Sequence, residues 1–317
     1  MLDSYGRKIE YLRISITDRC NYRCVYCMPP EGVEKMEHCD MLTLEEIEEI
    51  ARAFVRLGVK KLRLTGGEPL ARKGLVGLCR RLGAIEGVED ISLTTNASLL
   101  APVAAQLREA GVRRVNVSLD TLDAEKFKKI TRIGRLSDAI EGIRAALAVG
   151  MSPVKLNTVL IGGFNDDEIP ALVGLTRLYP VDVRFIELMP IGHTTEFGAE
   201  AYLPCSVVLE RVPELTPAGT DGGVAKLYTL PDALGRVGLI SPLSSHFCAE
   251  CNRMRLTSDG KLKPCLHSRQ EIPVRGLHSE ELEAAIKNAI LCKPQMHVEL
   301  SAEHRSESAR NMNQIGG

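Results

Sequence analysis

Short apolar segments alternate with longer helical patterns up to about residue 188 of this 317-residue chain, and this alternation limits its possible folds more than any other feature. A strand, a helix and a second strand in succession form a parallel βαβ unit, so the pattern predicts a parallel sheet flanked by helices. The predicted strands are Tyr11–Thr17, Lys60–Thr65, Asp90–Thr94, Arg113–Ser118, Val154–Leu160 and Asp182–Leu188.

The segment between the first two predicted strands, "LTLEEIEEIARAFVRLG", predicts an amphipathic helix. Thr43 and Glu46 have the spacing of a capping box, and Ile47, Ile50 and Phe54 recur at helical intervals. Similar patterns follow the later strands. Six β/α repeats fit an open sheet or an incomplete barrel, and we expect an α/β fold with an incomplete (β/α)6 TIM-type barrel. In either architecture ligands bind at the C-terminal ends of the strands.

The pattern changes at about residue 190, where turn-rich sequence leads to a short apolar segment, a group of cysteines and a last helical pattern. We therefore expect a barrel core at 5–225 and a smaller C-terminal region at 226–317 that packs on the barrel.

Charge and composition disfavour several classes of protein. A formal net charge of -1 argues against a nucleic-acid partner. The first residues lack the apolar run of a signal peptide and no 18-residue apolar segment occurs, so we expect a cytoplasmic protein that does not enter a membrane. In a reducing compartment, ten cysteines favour metal binding or catalysis over disulfides.

Three of these cysteines, Cys20, Cys24 and Cys27, lie directly after the first predicted strand with C-x3-C-x2-C spacing. A structural zinc site normally has four ligands, and this loop contains no fourth Cys or His. Three thiolates on a four-iron cluster leave one iron without a protein ligand, which creates a binding position for a small molecule. We therefore predict that this triplet holds a 4Fe-4S cluster.

A second triplet, Cys248, Cys251 and Cys265, has C-x2-C-x13-C spacing. His246 and His267 lie nearby in the sequence and could complete a zinc site, so zinc stays an alternative here. A second four-iron cluster with an open iron is the preferred prediction.

Cations interrupt strands that should be continuously apolar in a buried parallel sheet. Alternate residues of a strand share a face, so these cations are predicted to point into the barrel. They are Arg13, Lys61, Arg63, Lys155, Arg184, Arg253 and Arg255. Because buried charges are costly unless compensated, and guanidinium groups suit phosphate, the pattern predicts a polyphosphate ligand between the two triplets.

The first triplet, with Tyr26 before its last cysteine, resembles the radical S-adenosylmethionine (SAM) superfamily, and "TGGEP" after the second strand strengthens the resemblance. More specifically, the chain resembles the GTP 3′,8-cyclase family of molybdenum-cofactor biosynthesis. The motifs that carry this resemblance run nearly end to end: "LRISITDRCNYRCVYCMP", "LRLTGGEPLAR", "SLTTNASLL", "VNVSLDTLDAEKFKKITR", "VKLNTVLIGGFNDDEI", "VRFIELMPIG", "FCAECNRMRLTSDGKLKPCL" and "NMNQIGG".

The resemblance implies the site residues. The first triplet would hold the SAM-binding cluster and the second a cluster whose open iron contacts guanine. It places SAM against Tyr26, Gly67, Ser118 and Met189. It places GTP against Arg13, Arg63, Thr94, Lys155, Arg253, Met254 and Arg255. It assigns catalytic roles to Arg253, Arg255 and the terminal Gly316 and Gly317. One departure is Ala97, where the family usually has glycine. A left-handed backbone at this position would strain alanine.

The resemblance also implies the chemistry and partners. A deoxyadenosyl radical from SAM would remove the C3′ hydrogen of GTP, and the ribose radical would attack C8 of guanine. One-electron reduction and protonation would then give 3′,8-cyclo-7,8-dihydro-GTP. An electron donor would supply reducing equivalents, and a cyclic pyranopterin monophosphate synthase would take the product. A monomer and a homodimer both stay open.

Two alternatives differ in class. Another two-cluster radical SAM enzyme, such as one that modifies a peptide, would be expected to lack the inner cations and "CNRMR", both of which are present. A zinc-binding nucleic-acid module would have a clustered basic surface, which the near-zero net charge disfavours.

Overall fold

The computed structural model describes residues 1–33, 36–220, 223–301 and 304–316. Within them, one twelve-stranded sheet has the order β12-β11-β10-β1-β2-β3-β4-β5-β6-β9-β8-β7. The strands are β1 (Tyr11–Ser15), β2 (Lys61–Thr65), β3 (Asp90–Thr95), β4 (Val112–Ser118), β5 (Val154–Leu160), β6 (Val181–Glu187), β7 (Thr216–Thr220), β8 (Lys226–Thr229), β9 (Val237–Ile240), β10 (Arg253–Leu256), β11 (Lys261–Lys263) and β12 (Ile272–Pro273). The six predicted strands are confirmed, each with ends within two residues of the prediction.

Helices connect the parallel strands and cover the sheet. They are α1 (Leu44–Arg56), α2 (Leu75–Gly83), α3 (Ala104–Glu109), α4 (Ala124–Thr131), α5 (Leu136–Ala148), α6 (Ile169–Leu178), α7 (Ser206–Arg211), α8 (Ser279–Leu291) and α9 (Met312–Ile315). The capping box predicted for α1 is present, because the Thr43 hydroxyl accepts from the backbone N–H of Glu46 and the Glu46 carboxylate accepts from that of Thr43. Of the helices in the described part of the chain, none combines the length and apolar character needed to cross a bilayer.

The C-terminal region extends the sheet at both ends of the six-stranded core. β9 pairs in parallel with β6, and β10 pairs in parallel with β1. Ile240 of β9 and Arg253 of β10 nevertheless line the same cavity, although their strands lie at opposite ends of the eight parallel strands. The sheet must therefore curl into a partial barrel, as predicted, and the region after β6 takes part in its wall.

Alternation along the strands separates an apolar outer face from a charged inner face. In β1, Leu12 and Ile14 are fully buried in the hydrophobic core, whereas Arg13 between them lines the cavity. The register places Arg13 opposite Arg63 of β2 on one side and opposite Arg255 of β10 on the other. Three guanidinium groups thus occupy neighbouring positions across the sheet, and we call Arg255, Arg13 and Arg63 the arginine row.

The loop after β3 contains Ala97, at which the resemblance noted above leads one to expect glycine. Ala97 is buried and has the left-handed φ of 63° that the sequence comparison suggested. Its N–H donates to the Thr95 hydroxyl at 3.0 Å, and its carbonyl accepts from the N–H of Leu100 at 3.0 Å. These bonds offset a conformational cost of about 1 kcal/mol for a non-glycine residue.

Candidate active site

A cavity of about 360 Å³ lies within the partial barrel, a volume in the range of small-molecule sites. All eight parallel strands contribute to its wall, and both cysteine triplets line it. The structure therefore brings together two groups of cysteines separated by more than 200 residues in the sequence.

The first triplet lies in the loop that leaves β1, braced by the loop after β2. The N–H of Gly67 donates to the Thr17 carbonyl and that of Glu68 to the Arg19 carbonyl, each at 2.8 Å. A Cβ atom on Gly67 would lie 2.4 Å from the Arg19 carbonyl oxygen, so this close approach requires glycine. The "TGGEP" segment thus fixes the chain directly before Cys20.

The three thiols suit a cluster of metal ions. Burial raises the pKa of Cys20 to about 11 and that of Cys27 to about 12. Burial also raises the pKa of Cys24 well above its ordinary value, and the neighbouring Cys27, Asp120 and Cys20 add to this shift. Bound iron would reverse it, because a coordinating thiol is deprotonated by the charge of the metal. The donor set therefore fits a 4Fe-4S cluster bound by Cys20, Cys24 and Cys27.

The second triplet lies on two segments of the chain. Cys248 begins a 3-10 turn at Cys248–Glu250 and Cys251 directly follows that turn, whereas Cys265 lies in the loop after β11. Among the described residues, no group of three or more His, Cys, Asp or Glu side chains is arranged to hold a single metal ion. A cubane cluster binds each thiolate to a different iron and does not need such convergence.

Electrostatics distinguish the two triplets. Burial alone would raise the pKa of Cys251, but Lys293 and Arg253 outweigh it and the pKa is lowered. Cys251 thus lies close to positive charge, whereas burial is the main cause of the raised pKa values at the first triplet.

The arginine row brings three buried guanidinium groups close together. Burial lowers the pKa of Arg63 and of Arg255 to about 10, and neighbouring arginines contribute to both shifts. Burial and then the repulsion of Arg255 lower the pKa of Arg13 well below its ordinary value. An anion in the cavity would relieve this repulsion, in agreement with a polyphosphate ligand.

The residues predicted to contact SAM line the cavity together. The Tyr26 hydroxyl donates to Asp120 Oδ2 at 2.7 Å, and the backbone N–H of Val159 donates to Asp120 Oδ1 at 2.8 Å. Burial raises the pKa of Asp120 to about 6. Asp120 was not predicted as a site residue from the sequence, and the structure adds it to the wall of this part of the cavity.

Most residues predicted to contact GTP also line the cavity. Lys155 is 4% exposed, and the buried Thr94 hydroxyl has no hydrogen-bond partner among the described residues. Met254 differs: its side chain is fully buried in the hydrophobic core on the other face of β10. Because residues alternate along a strand, Arg253 and Arg255 point inward while Met254 can offer the cavity only its backbone.

The C-terminal tail reaches the arginine row. The Gly316 carbonyl accepts hydrogen bonds from Arg255 Nη1 at 2.9 Å and from Arg13 Nη2 at 3.2 Å. Gly316 has a left-handed φ of 74°, and a Cβ atom there would lie 2.1 Å from the Thr65 hydroxyl oxygen. Gly317, also predicted to act in the site, lies outside the described residues.

An ion-pair network outside the cavity holds this tail. Arg310 pairs with Asp259 at 2.7 Å and with Glu271 at 2.5 Å, both on the segment that contains β11 and β12. Asn313 then donates from Nδ2 to the Asp18 carbonyl at 3.1 Å, close to the first triplet. The tail therefore crosses from the second cysteine segment to the first.

Two further cations were missed as site residues. Arg114 lines the cavity and pairs with Asp90, and its alternation with Asn116 and Ser118 in "RVNVS" could have revealed it. Lys293 lines the cavity from a loop after α8, where strand periodicity gives no signal. Lys61 and Arg184, noticed as inner cations but not assigned to GTP, also line it.

Comparison with known proteins gives the family. A model of the radical SAM superfamily matches residues 14–176, and one described as Molybdenum Cofactor Synthesis C matches residues 181–299. A GTP 3′,8-cyclase from Alkaliphilus oremlandii is 51% identical over 321 residues, which cover 100% of each chain. Another from Pelotomaculum thermopropionicum is 53% identical over 330 residues, again covering 100% of each. The chain belongs to the GTP 3′,8-cyclase family of the radical SAM superfamily. Radical SAM enzymes use a 4Fe-4S cluster and SAM, as predicted here.

Solved structures agree on the fold. Streptococcus suis SuiB bound to S-adenosylmethionine is similar with a TM-score of 0.65 and 16% identity, covering 97% of this chain and 77% of SuiB. The protein anSMEcpe with bound AdoMet gives a TM-score of 0.54 and 15% identity, covering 96% and 89% of the two chains. At these identities the similarity establishes the radical SAM fold alone.

Proposed function

We propose that this chain is a GTP 3′,8-cyclase that catalyses the first step of molybdenum-cofactor biosynthesis. Full-length relatives carry that activity in their names, and the C-terminal half matches a molybdenum-cofactor family. The observation that carries the proposal is one cavity lined by two three-cysteine sites with the arginine row in its wall. In the reaction, C3′ of GTP loses its hydrogen and bonds to C8 of guanine.

The cysteines would hold two 4Fe-4S clusters, Cys20, Cys24 and Cys27 the first and Cys248, Cys251 and Cys265 the second. When bound at the first triplet, a cluster with SAM supplies one-electron chemistry that generates an alkyl radical. Tyr26, Gly67, Ser118 and Met189 are the proposed SAM contacts.

Positioning of the substrate falls to the inner cations. Guanidinium groups donate hydrogen bonds in pairs to phosphate oxygens, so the arginine row can hold a triphosphate at a fixed orientation. Lys155 and the buried Thr94 hydroxyl lie on the neighbouring wall and offer further donors. We propose that Arg253 and Arg255 also have catalytic roles, together with the Gly316–Gly317 tail.

The barrel wall and tail also protect the reaction. A reactive carbon radical must be kept from water and other hydrogen donors, and an enclosed site lowers the chance of side reactions. The Gly316 carbonyl lies directly on Arg13 and Arg255, so the tail covers part of the arginine row. We propose that this tail is needed for turnover as well as for binding.

The proposed reaction requires an electron donor and a downstream enzyme as partners. An external one-electron donor would reduce the first cluster, and the cyclised nucleotide would pass to a cyclic pyranopterin monophosphate synthase. We propose a cytoplasmic location for this sequence of reactions.

Anaerobic reconstitution with iron and sulfide, followed by SAM, dithionite and GTP, tests the function. We expect about eight irons per chain from two four-iron clusters, together with 5′-deoxyadenosine formation that depends on GTP. About four irons per chain, or 5′-deoxyadenosine formation indifferent to GTP, would contradict the proposal. Mass spectrometry of the nucleotide product then distinguishes cyclisation from simple SAM cleavage.

A further inference from the structure

Lys293 is a buried lysine in the wall of the cavity, in the loop that follows α8. The residue as a whole is 3% exposed. Its ammonium donates to the Arg253 carbonyl at 2.9 Å and to the Pro264 carbonyl at 2.8 Å. A buried ammonium is costly unless its donors are satisfied and its charge is compensated, so this placement calls for an explanation.

The two carbonyls belong to the segments that carry two of the second-triplet cysteines. Arg253 follows Cys251 by two residues, and Pro264 directly precedes Cys265. One ammonium therefore ties together two pieces of chain that are separated by a hairpin, β10 to β11, and keeps the two cysteines at a fixed separation.

The hydrogen-bond partners of Lys293 in the described part of the chain are uncharged. The nearby cysteines are therefore the candidates to compensate the positive charge of its ammonium group. Two of its contacts are neutral carbonyl oxygens, which do not compensate its charge. An ammonium has three donors, so one can still point to a sulfur of the triplet, which lines the same cavity. The thiolates of a metal-bound triplet would provide the negative charge that this ammonium needs.

The third cysteine of the triplet has an equivalent brace. Arg7, buried and paired with Asp3 at 2.6 Å, donates from Nη1 to the Cys248 carbonyl at 2.8 Å. The same guanidinium donates to the carbonyls of Gln295 and Pro294, in the loop that carries Lys293. Backbone carbonyls within two residues of all three cysteines are thus held by two buried cations, Arg7 and Lys293.

We infer that Lys293 is a positioning residue of the second cysteine site, which fixes the segments of Cys251 and Cys265 and places one positive charge beside the cluster they hold. This inference rests on the proposed function, because it requires a cluster at the second triplet. Reduction adds one negative charge to a cluster, so a neighbouring cation raises its reduction potential.

The test uses Lys293→Met, which keeps the length of the side chain but removes its charge. We expect the reconstituted variant either to show a second-cluster potential shifted to more negative values in an EPR-monitored redox titration, or to lose about four of its eight irons. The first cluster should keep its SAM-dependent EPR signal in both cases. Lys293→Arg should restore the potential, and Lys287→Met, an exposed lysine on α8, should change neither quantity.

Retention of all iron with an unchanged second-cluster potential in Lys293→Met would overturn the inference. Loss of iron from both triplets alike would also overturn it, because the brace contacts only the second. About four irons per chain in the unaltered protein would instead contradict the two-cluster function itself, so the two failures are distinguishable.

Discussion

Arg255 donates a hydrogen bond from Nη1 to the carbonyl oxygen of Gly316 at 2.9 Å, which joins a barrel strand to the C-terminal tail. Arg13 reaches the same oxygen from the next strand of the sheet. Two cations whose pKa burial lowers thus share one carbonyl acceptor. The tail therefore helps to orient the arginine row.

The Arg310 ion pairs should control the position of this tail. In Arg310→Met we expect the free energy of unfolding to fall by ~2 kcal/mol. This value lies between the losses caused by breaking an exposed ion pair and a buried ion pair. We also expect at least a tenfold fall in kcat/KM for GTP, with SAM cleavage in the absence of GTP unchanged. The exposed Arg305→Met is the matched control on the same segment. Equal kinetics for the two variants would contradict a role for Arg310 in placing the tail.

The same ion pairs predict a pH dependence of stability. Burial alone would raise the pKa of Asp259 and Glu271, but Arg310 outweighs it and holds both below their ordinary values of 3.8 and 4.5. A lowered folded-state pKa gives stability that is present above the ordinary value and lost as pH falls through the folded-state value. The stability difference between the unaltered apoprotein and Arg310→Met should be constant from about pH 7 to 5 and shrink below about pH 4. Denaturant melts at each pH measure it, and a difference that grows toward acid pH would contradict the assignment.

Lys155 should contribute to nucleotide affinity. Lys155→Ala removes a buried cation of the cavity wall, and loss of one charge-assisted hydrogen bond costs about 1.5–3 kcal/mol. Calorimetric titration with GTP should therefore show affinity weakened at least tenfold, while Lys128→Ala on the exposed face of α4 leaves it unchanged. Unchanged GTP affinity in Lys155→Ala would argue against a triphosphate at this wall.

Gly67 should be required for the first cluster. The added Cβ of Gly67→Ala would meet the Arg19 carbonyl at 2.4 Å, so the loop before Cys20 must move. We expect iron to fall to about four per chain and SAM cleavage to be lost, with the second cluster retained. Gly174→Ala on α6 has open space around the new methyl group and should be neutral or stabilising by about 0.5–1 kcal/mol. A fully loaded, active Gly67→Ala variant would show that this close approach is dispensable.

Periodicity was sufficient to predict the barrel strands and the direction of their side chains. Arg13, Arg63 and Lys155 alternate with apolar residues, so a two-residue period places them inside without knowledge of the fold. The same rule, applied to Met254, would have shown that its side chain faces the core. The two cysteine triplets were recognisable because metal ligands cluster in sequence.

Other site residues depend on pairings that no local pattern encodes. Lys293 reaches the cavity from an irregular loop, and its role follows only from which carbonyls lie beside it. The pairing of β10 with β1 and of β9 with β6 is likewise determined over a long range in the sequence. Burial of both strands selects these partners, whereas their own four-residue sequences do not. Propensity within such short segments is too weak to select a partner.

The parallel pairing of β9 with β6 and of β10 with β1 has a consequence for any attempt to isolate the barrel core. A fragment ending near residue 225 would leave β1 and β6 as exposed edge strands, each with a row of backbone N–H and C=O groups that have lost their partners. Such a fragment should self-associate through those edges rather than remain a monomeric half-enzyme. The C-terminal region therefore covers the edge strands of the barrel and keeps it from associating, in addition to supplying cysteines. The two regions should unfold together.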